Sequence, residues 1–330
     1  MQQRHVVIVA FEGVQPIDAV GPHEVFAGAG KAAASLGRAG GYRVTLGSMG
    51  GGQVQTESGL VLGTTPLPDA SDRIDTLVLP GGTGTREAQR DEELLAWIRA
   101  TAPRCRRVAT VCSGTFVGAA AGLLAGRRVT THWARARELA EAYPDLTVDP
   151  DPIYLRDGKY WSSAGVTAGI DLALALVQMD LGVEVAQTVA RWLVMFLHRP
   201  GGQTQFASPV WVPRAERSTV RAVQTLVESA PAGDHRLPAL AAAAAMSVRH
   251  FTRVFTAEVG ETPSRFVERT RLEAARRELE ETTDTLDVVA ARCGLGSAES
   301  LRRVFQRHLG VAPDAYRRRF RATPNERTSA

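Results

Sequence analysis

The C-terminal part of this 330-residue chain repeats itself at an offset of 50 residues. Residues 240–267 (LAAAAAMSVRHFTRVFTAEVGETPSRFV) align without a gap on 290–317 (AARCGLGSAESLRRVFQRHLGVAPDAYR). Ala241/Ala291, Ser247/Ser297, Arg253/Arg303, Val254/Val304, Phe255/Phe305, Gly260/Gly310 and Pro263/Pro313 are identical, and Phe251/Leu301, Val259/Leu309 and Phe266/Tyr316 stay apolar. A repeat of this kind marks a duplicated supersecondary unit. Each copy reads as a short helix, a turn (Ala245-Met246 or Gly294-Leu295-Gly296) and a longer helix capped by Ser247 or Ser297. In the longer helices Val248, Phe251, Phe255 and Val259, and then Ala298, Leu301, Phe305 and Leu309, fall on one apolar stripe. The opposite faces carry Arg249, Thr252, Arg253 and Glu299, Arg302, Arg303. A helix buried on one side and cationic on the other, after a tight turn, has helix-turn-helix geometry. Thr262-Pro263 opens a long helix, Ser264 to about Glu281, with proline at its first position. That helix would hold the two units at a fixed distance.

Charge is divided along the chain. Residues 1–213 carry 19 Lys and Arg against 20 Asp and Glu, and residues 214–330 carry 20 against 15. A basic module on a neutral body fits a nucleic-acid or other polyanionic partner. Solvated arginine on helix surfaces is the alternative, because the chain uses arginine almost to the exclusion of lysine. The overall balance, 44% hydrophobic and 22% charged residues, excludes disordered, collagen-like and coiled-coil chains. No apolar run reaches the roughly 18 residues of a membrane span. The apolar stretch at the N-terminus is too short for a signal peptide. Three cysteines (Cys105, Cys112, Cys293) form no disulfide framework and suit a reducing compartment, so a cytoplasmic protein is expected.

The first two hundred residues alternate strands and helices. Val6–Phe11, Ile74–Leu79 and Arg107–Val111 are apolar runs of strand length. Glu92–Arg99 and Thr115–Ala125 read as helices between or after them, followed by Ala168–Leu181 and Val183–Leu197. This βαβα order predicts an α/β domain with a mostly parallel sheet. Arg199-Pro200-Gly201-Gly202 stops the last helix, and Ser208–Pro213 reads as extended. The expected organisation is therefore a domain over 1–200, a linker over 201–215, an all-helical domain over 216–322 and a disordered tail over 323–330.

Ala109-Thr110-Val111-Cys112-Ser113-Gly114-Thr115 is a strand running into a cysteine, small residues and a helix start. That order is a nucleophile elbow, which would place the thiol at a helix N-terminus. An inert cysteine filling a crowded turn fits the same spacing. Gly50-Gly51-Gly52 reads as a turn, since no lysine follows as in a phosphate-binding loop. His5, His23, His198, His235, His250 and His308 show no metal-ligand spacing, so neither metal nor cofactor is expected. Trp133, Tyr154, Tyr160 and Trp161 are read as packing residues rather than ligand-pocket walls.

Met246–Phe255 with Gly260-Glu261-Thr262-Pro263, and Gly294–Phe305 with Gly310-Val311-Ala312-Pro313, resemble the two helix-turn-helix units of AraC/XylS transcription regulators over about residues 216–322. The resemblance implies recognition helices in successive major grooves of double-stranded promoter DNA. Val248, Arg249, Thr252 and Arg253 would face the first groove, and Ala298, Glu299, Arg302 and Arg303 the second. Glutamate can accept from cytosine N4 and arginine can read guanine, although an arginine on a phosphate or in solvent is an equal alternative.

Phe11–Pro22, Leu79-Pro80-Gly81-Gly82, the Cys112 elbow, Thr130–Trp133 and Ser162–Asp171 resemble the ThiJ/PfpI group of the flavodoxin-like, class I glutamine-amidotransferase-like fold. Joined to the helical part, the whole chain resembles GlxA-family transcriptional regulators. The resemblance implies a pocket in which Asp18 meets Cys112, the Gly81 and Gly82 amides stand where an oxyanion hole forms, Ser113 follows the cysteine and His132 lies nearby. PfpI-type proteases have a histidine where this chain has Ser113, so protease activity is not expected. Cys112 and Asp18 match the pair used by isocyanide hydratases, which keeps hydratase-like chemistry as an alternative to small-molecule sensing. The resemblance further implies a homodimer, RNA polymerase as a partner and a small-molecule effector. An N-terminal domain serving dimerisation alone is the third reading.

Overall fold

The computed structural model describes residues 3–195, 197, 202–203 and 215–320. The chain forms two compact units, residues 1–206 and 207–330. Most of the expected linker and all of the expected tail lie outside the described residues, as do Arg199-Pro200 and Ser208–Pro213.

The first unit is built on an eight-stranded sheet. In chain order its elements are β1 (Arg4–Val9), α1 (Pro16–Ser35), β2 (Tyr42–Ser48), β3 (Gly52–Gln55), β4 (Val61–Pro66), β5 (Thr76–Leu79), α2 (Thr85–Ala88), α3 (Glu92–Thr101), β6 (Arg107–Val111) and α4 (Gly114–Ala120). Then follow β7 (Arg128–Val129), α5 (Ala136–Ala142), β8 (Thr147–Val148), β9 (Tyr154–Asp157), β10 (Tyr160–Ser163), α6 (Ala168–Leu181) and α7 (Val183–Trp192). The sheet order is β3-β4-β2-β1-β5-β6-β10-β9, and β7 pairs with β8 in a separate two-stranded sheet. Its interior is parallel, and the antiparallel pairs β3–β4 and β9–β10 form its edges. Alternate side chains of β1 explain its continuous apolar run. Val6 and Ile8 pack on α1, α6 and α7, and Val7 and Val9 pack on the opposite layer with α3.

Several boundaries differ from the sequence reading, each for a backbone reason. β1 stops at Val9, because the chain turns at Gly13, whose φ is +75°. α4 ends at Ala120 rather than Ala125. Gly122 takes a left-handed φ of +75° and Leu123 N–H donates to Gly118 C=O, a Schellman ending. α7 ends at Trp192 rather than Leu197 in the same way, with Val194 at φ +54° and Met195 N–H on Ala190 C=O. Gly202 and Gln203, read as linker, instead pack in the first unit, where Gln203 is 2% exposed.

The second unit contains α8 (Ser218–Ser229), α9 (Leu237–Ala243), α10 (Val248–Val259), α11 (Pro263–Glu281), α12 (Leu286–Arg292), α13 (Ala298–Leu309) and α14 (Pro313–Phe320). The repeated residues do repeated work. Ser247 and Ser297 cap α10 and α13 by accepting the amides of His250 and Ser300. Gly260 and Gly310 end them in left-handed conformation. Pro263 and Pro313 open the next helices. The turn is one residue longer in the second copy. Met246 N–H reaches Ala241 C=O, whereas Leu295 N–H reaches Ala290 C=O. Ala241 therefore corresponds in space to Ala290, and the Ala241/Ala291 identity is a coincidence of ungapped alignment. α11 serves two cores. Phe266 and Val267 pack with Phe251 and Phe255, while Leu272, Ala275 and Leu279 pack with Leu301, Phe305 and Tyr316.

Candidate functional site: an elbow cysteine and a duplicated helix-turn-helix

Strand order reverses at β1 and β5, and the carboxyl ends of parallel strands at such a point form a crevice. Cys112 stands there, directly after β6, at φ +55°. This left-handed conformation is strained for a residue with a Cβ. It is held because Cys112 N–H donates to the carbonyls of Ser163 (3.2 Å) and Ala164 (3.1 Å), and Thr131 Oγ1 donates to the Cys112 carbonyl (2.7 Å). Glycine is needed at 114, since a Cβ there would lie 2.0 Å from the Leu79 carbonyl oxygen.

Asp18, in the first turn of α1, is fully buried beside the elbow. Its Oδ2 accepts from Gly81 N–H at 2.9 Å. Gly82 N–H donates to Ser113 Oγ at 2.9 Å. Both glycine amides are thus committed inside the protein and neither is open to an oxyanion. Burial pushes the Asp18 carboxyl up to about 7, opposed first by the Gly81 hydrogen bond. Burial, then the neighbouring Asp18 charge, push the Cys112 thiol up to about 12. Burial thus favours the protonated form of both groups, and the ionised Asp18 further disfavours a thiolate at Cys112.

His132 is near but does not engage the thiol. Its Nδ1 accepts from Ala134 N–H at 3.2 Å, and burial, then Arg135, lower its pKa. The sequence reading missed Val166. It sits at φ +52°, and its N–H faces both Asp18 and Cys112. A β-branched residue has no preference for that backbone, so only the fold reveals it. Trp161 is core, with Tyr154 packed on it, and Tyr160 packs on Phe116 and its neighbours. Among the described residues no group of three or more His, Cys, Asp or Glu is placed to hold a metal.

In the second unit the core side of α10 is Phe251, Val254, Phe255 and Val259, and that of α13 is Leu301, Val304, Phe305 and Leu309. Val248 leaves the apolar stripe and is 41% exposed, near Arg249, Thr252 and Arg253 on the outer side. Thr252 Oγ1 is turned back onto the Val248 carbonyl. Ala298 departs from its expected place on the DNA side. It is 7% exposed and belongs to the second core, with its N–H on Asp287 Oδ1. The cause is helical phase, since Ala298 lies one turn before Leu301. Glu299, Arg302 and Arg303 are exposed, with Arg302 Nη1 3.7 Å from Glu299 and Arg303 Nη2 3.2 Å from Ser300 Oγ. Such exposed pairs are worth little and can be exchanged for other partners.

A doubly wound α/β unit with an elbow cysteine, joined to two helix-turn-helix units, defines a class of DNA-binding regulator. Residues 4–179 match the DJ-1/PfpI family and residues 240–319 a helix-turn-helix domain. The chain is 38% identical over 277 residues to HTH-type transcriptional regulator Rv1931c of Mycobacterium tuberculosis, covering 76% of this chain and 96% of that one. It is 30% identical to HTH-type transcriptional regulator GlxA of Rhizobium meliloti, covering 84% and 86% of the two chains. Isonitrile hydratase of Pseudomonas putida is 40% identical over 141 residues, 41% of this chain and 58% of the hydratase. A crystal structure of a ThiJ/PfpI family protein from Pseudomonas syringae superposes with a TM-score of 0.52 at 25% identity, covering 69% and 88%. The chain belongs to the DJ-1/PfpI family, as a helix-turn-helix transcriptional regulator of the GlxA kind.

Proposed function

We propose that the regulator works in the cytoplasm as a homodimer that senses a small molecule at the Cys112 crevice and presents α10 and α13 to successive major grooves of promoter DNA, where it meets RNA polymerase. The observation that carries the DNA reading is the exposed Glu299, Arg302 and Arg303 on a capped helix whose other face is buried. Arg249, Arg253 and Val248 extend the same reading to α10. Sensing is favoured over turnover by the protonated thiol and the occupied Gly81 and Gly82 amides. An effector acts only by binding one arrangement of the regulator better than another.

A salt-dependent gel shift with DNA from upstream of the gene and its neighbours tests this reading. The full chain should retain specific DNA in excess competitor, whereas equal, salt-labile binding to all DNA would leave only a basic surface. Arg303→Ala should cost about 1–3 kcal/mol and relax discrimination at one operator position. Uniform weakening on every sequence would assign Arg303 to a phosphate.

The hydratase relative favours a second reading, in which Cys112 and Asp18 also turn over a substrate. It predicts isocyanide or amide turnover that Cys112→Ala abolishes. No turnover across a broad panel, with thermal stabilisation by a bound compound, would support sensing. Neither turnover nor stabilisation would favour a dimerisation domain.

A further inference from the structure

Thr131, His132 and Trp133 touch the Cys112 site on one side and a single side chain, Gln203, on the other. On the site side Thr131 Oγ1 holds the Cys112 carbonyl. The His132 ring lies against Gly165 so closely that a Cβ there would stand 1.9 Å from Cδ2. Gly165 directly precedes Val166, whose N–H faces Asp18 and Cys112.

On the other side Gln203 Nε2 donates to the Thr131 carbonyl (2.8 Å) and to Thr130 Oγ1 (3.1 Å), while its Oε1 accepts Trp133 N–H (2.8 Å). Its own N–H donates to the Asp151 carbonyl at 2.7 Å. A primary amide offers an acceptor and two donors on one plane, so it can serve an N–H and a C=O at once. Gln203 lies three residues before the end of the first unit at Phe206, on the chain that leads to the DNA-binding unit.

We propose that Gln203 is the fastening by which the sensing unit holds the start of that connection, and that a ligand at the Cys112 site acts on it through residues 131–133. The proposal rests on the sensing reading above. There is no slack between Gly165 and His132, so a ligand that displaces the Gly165-Val166 segment displaces the ring. The ring is flanked by the two backbone groups that Gln203 binds. Half-release would leave buried polar groups unpaired, so the fastening is either held or free.

Amide hydrogen exchange on the full chain, read at Trp133, tests this together with operator gel shifts. Gln203→Ala removes the fastening. Gly165→Ala pushes His132 from the site side without touching Cys112, Asp18 or Gln203. Both should raise Trp133 exchange at least about tenfold and shift operator affinity in the same direction, about fivefold or more. Should Gly165→Ala fail to fold, Thr131→Val takes its place by removing only the hydroxyl on the Cys112 carbonyl. Faster exchange in Gln203→Ala but not in Gly165→Ala or its replacement would overturn transmission. Faster exchange with unchanged operator affinity would make the fastening merely structural and overturn the proposal alone. Wild-type protein that retains no operator would overturn the regulator reading itself.

Discussion

Phe305→Ala is expected to destabilise the DNA-binding unit by about 3–5 kcal/mol, a large share of the roughly 5–15 kcal/mol that holds an ordinary domain. Phe305 is fully buried, with its ring centroid 5.5 Å from that of Tyr316, and it joins α13 to α11, α12 and α14. Deleting the ring leaves a cavity at the point where the second recognition helix is seated. Urea unfolding followed by far-UV circular dichroism should show the helical unit melting early, and operator retention should fall with it. Most of the tryptophan signal should stay in place, because four of the five tryptophans, Trp97, Trp133, Trp161 and Trp192, belong to the first unit. Phe305→Leu should cost less than Phe305→Ala, because it leaves the smaller cavity. Equal losses in the two variants would mean that ring shape, not buried volume, seats α13.

Asp18→Asn should stabilise the first unit at alkaline pH. The folded carboxyl titrates at about 7, against an ordinary value of 3.8, because burial disfavours its charge. A group raised in this way contributes stability that is fully present below pH 3.8 and is lost as pH rises through 7. Above that range the buried charge costs about 4 kcal/mol, from roughly three pH units at 1.36 kcal/mol each. Asparagine keeps an acceptor for Gly81 N–H and carries no charge. Its advantage over wild type should be close to nothing at pH 4 and about 3–4 kcal/mol at pH 8, read by urea unfolding with tryptophan fluorescence. A variant less stable than wild type at pH 8 would show that the amides of Gly81 and Val166 stabilise the carboxylate more than burial penalises it. If Asp18 also serves the effector, the same variant should bind it differently across that pH window.

Much of the site was legible because its residues obey local rules. The elbow is written in Val111-Cys112-Ser113-Gly114, where a strand, a reactive residue and small turn residues are contiguous. The duplicated caps, Ser247 with Gly260 and Ser297 with Gly310, mark helix ends within one stretch of chain. Some features stayed hidden although a local signal was present. The β9–β10 hairpin was missed, yet Gly158-Lys159, with Gly158 at φ +62° in the first loop position, is an ordinary two-residue hairpin turn. The one-residue difference between the two turns was masked by a gapless comparison. The burial of Ala298 follows from helical phase and was already given by the apolar stripe, against the DNA-facing place that the family resemblance implied.

The chain alone determined the α/β unit, the two helix-turn-helix units and the identity of the elbow cysteine, because periodicity, caps and turn residues act over neighbouring positions. Tertiary structure decided what the site residues do. Asp18 meets Gly81 and Cys112 across 63 and 94 residues of chain, and whether an amide is free or already bonded depends on that meeting. Gln203 carries no sequence signal, and Val166, though within the Ser162–Asp171 stretch, carries none for its backbone, since a left-handed valine and a buried glutamine exist only where packing and hydrogen bonds from several segments hold them. Local propensity acts on the residue and its neighbours, and burial, charge and strain are set by segments that the fold alone brings together.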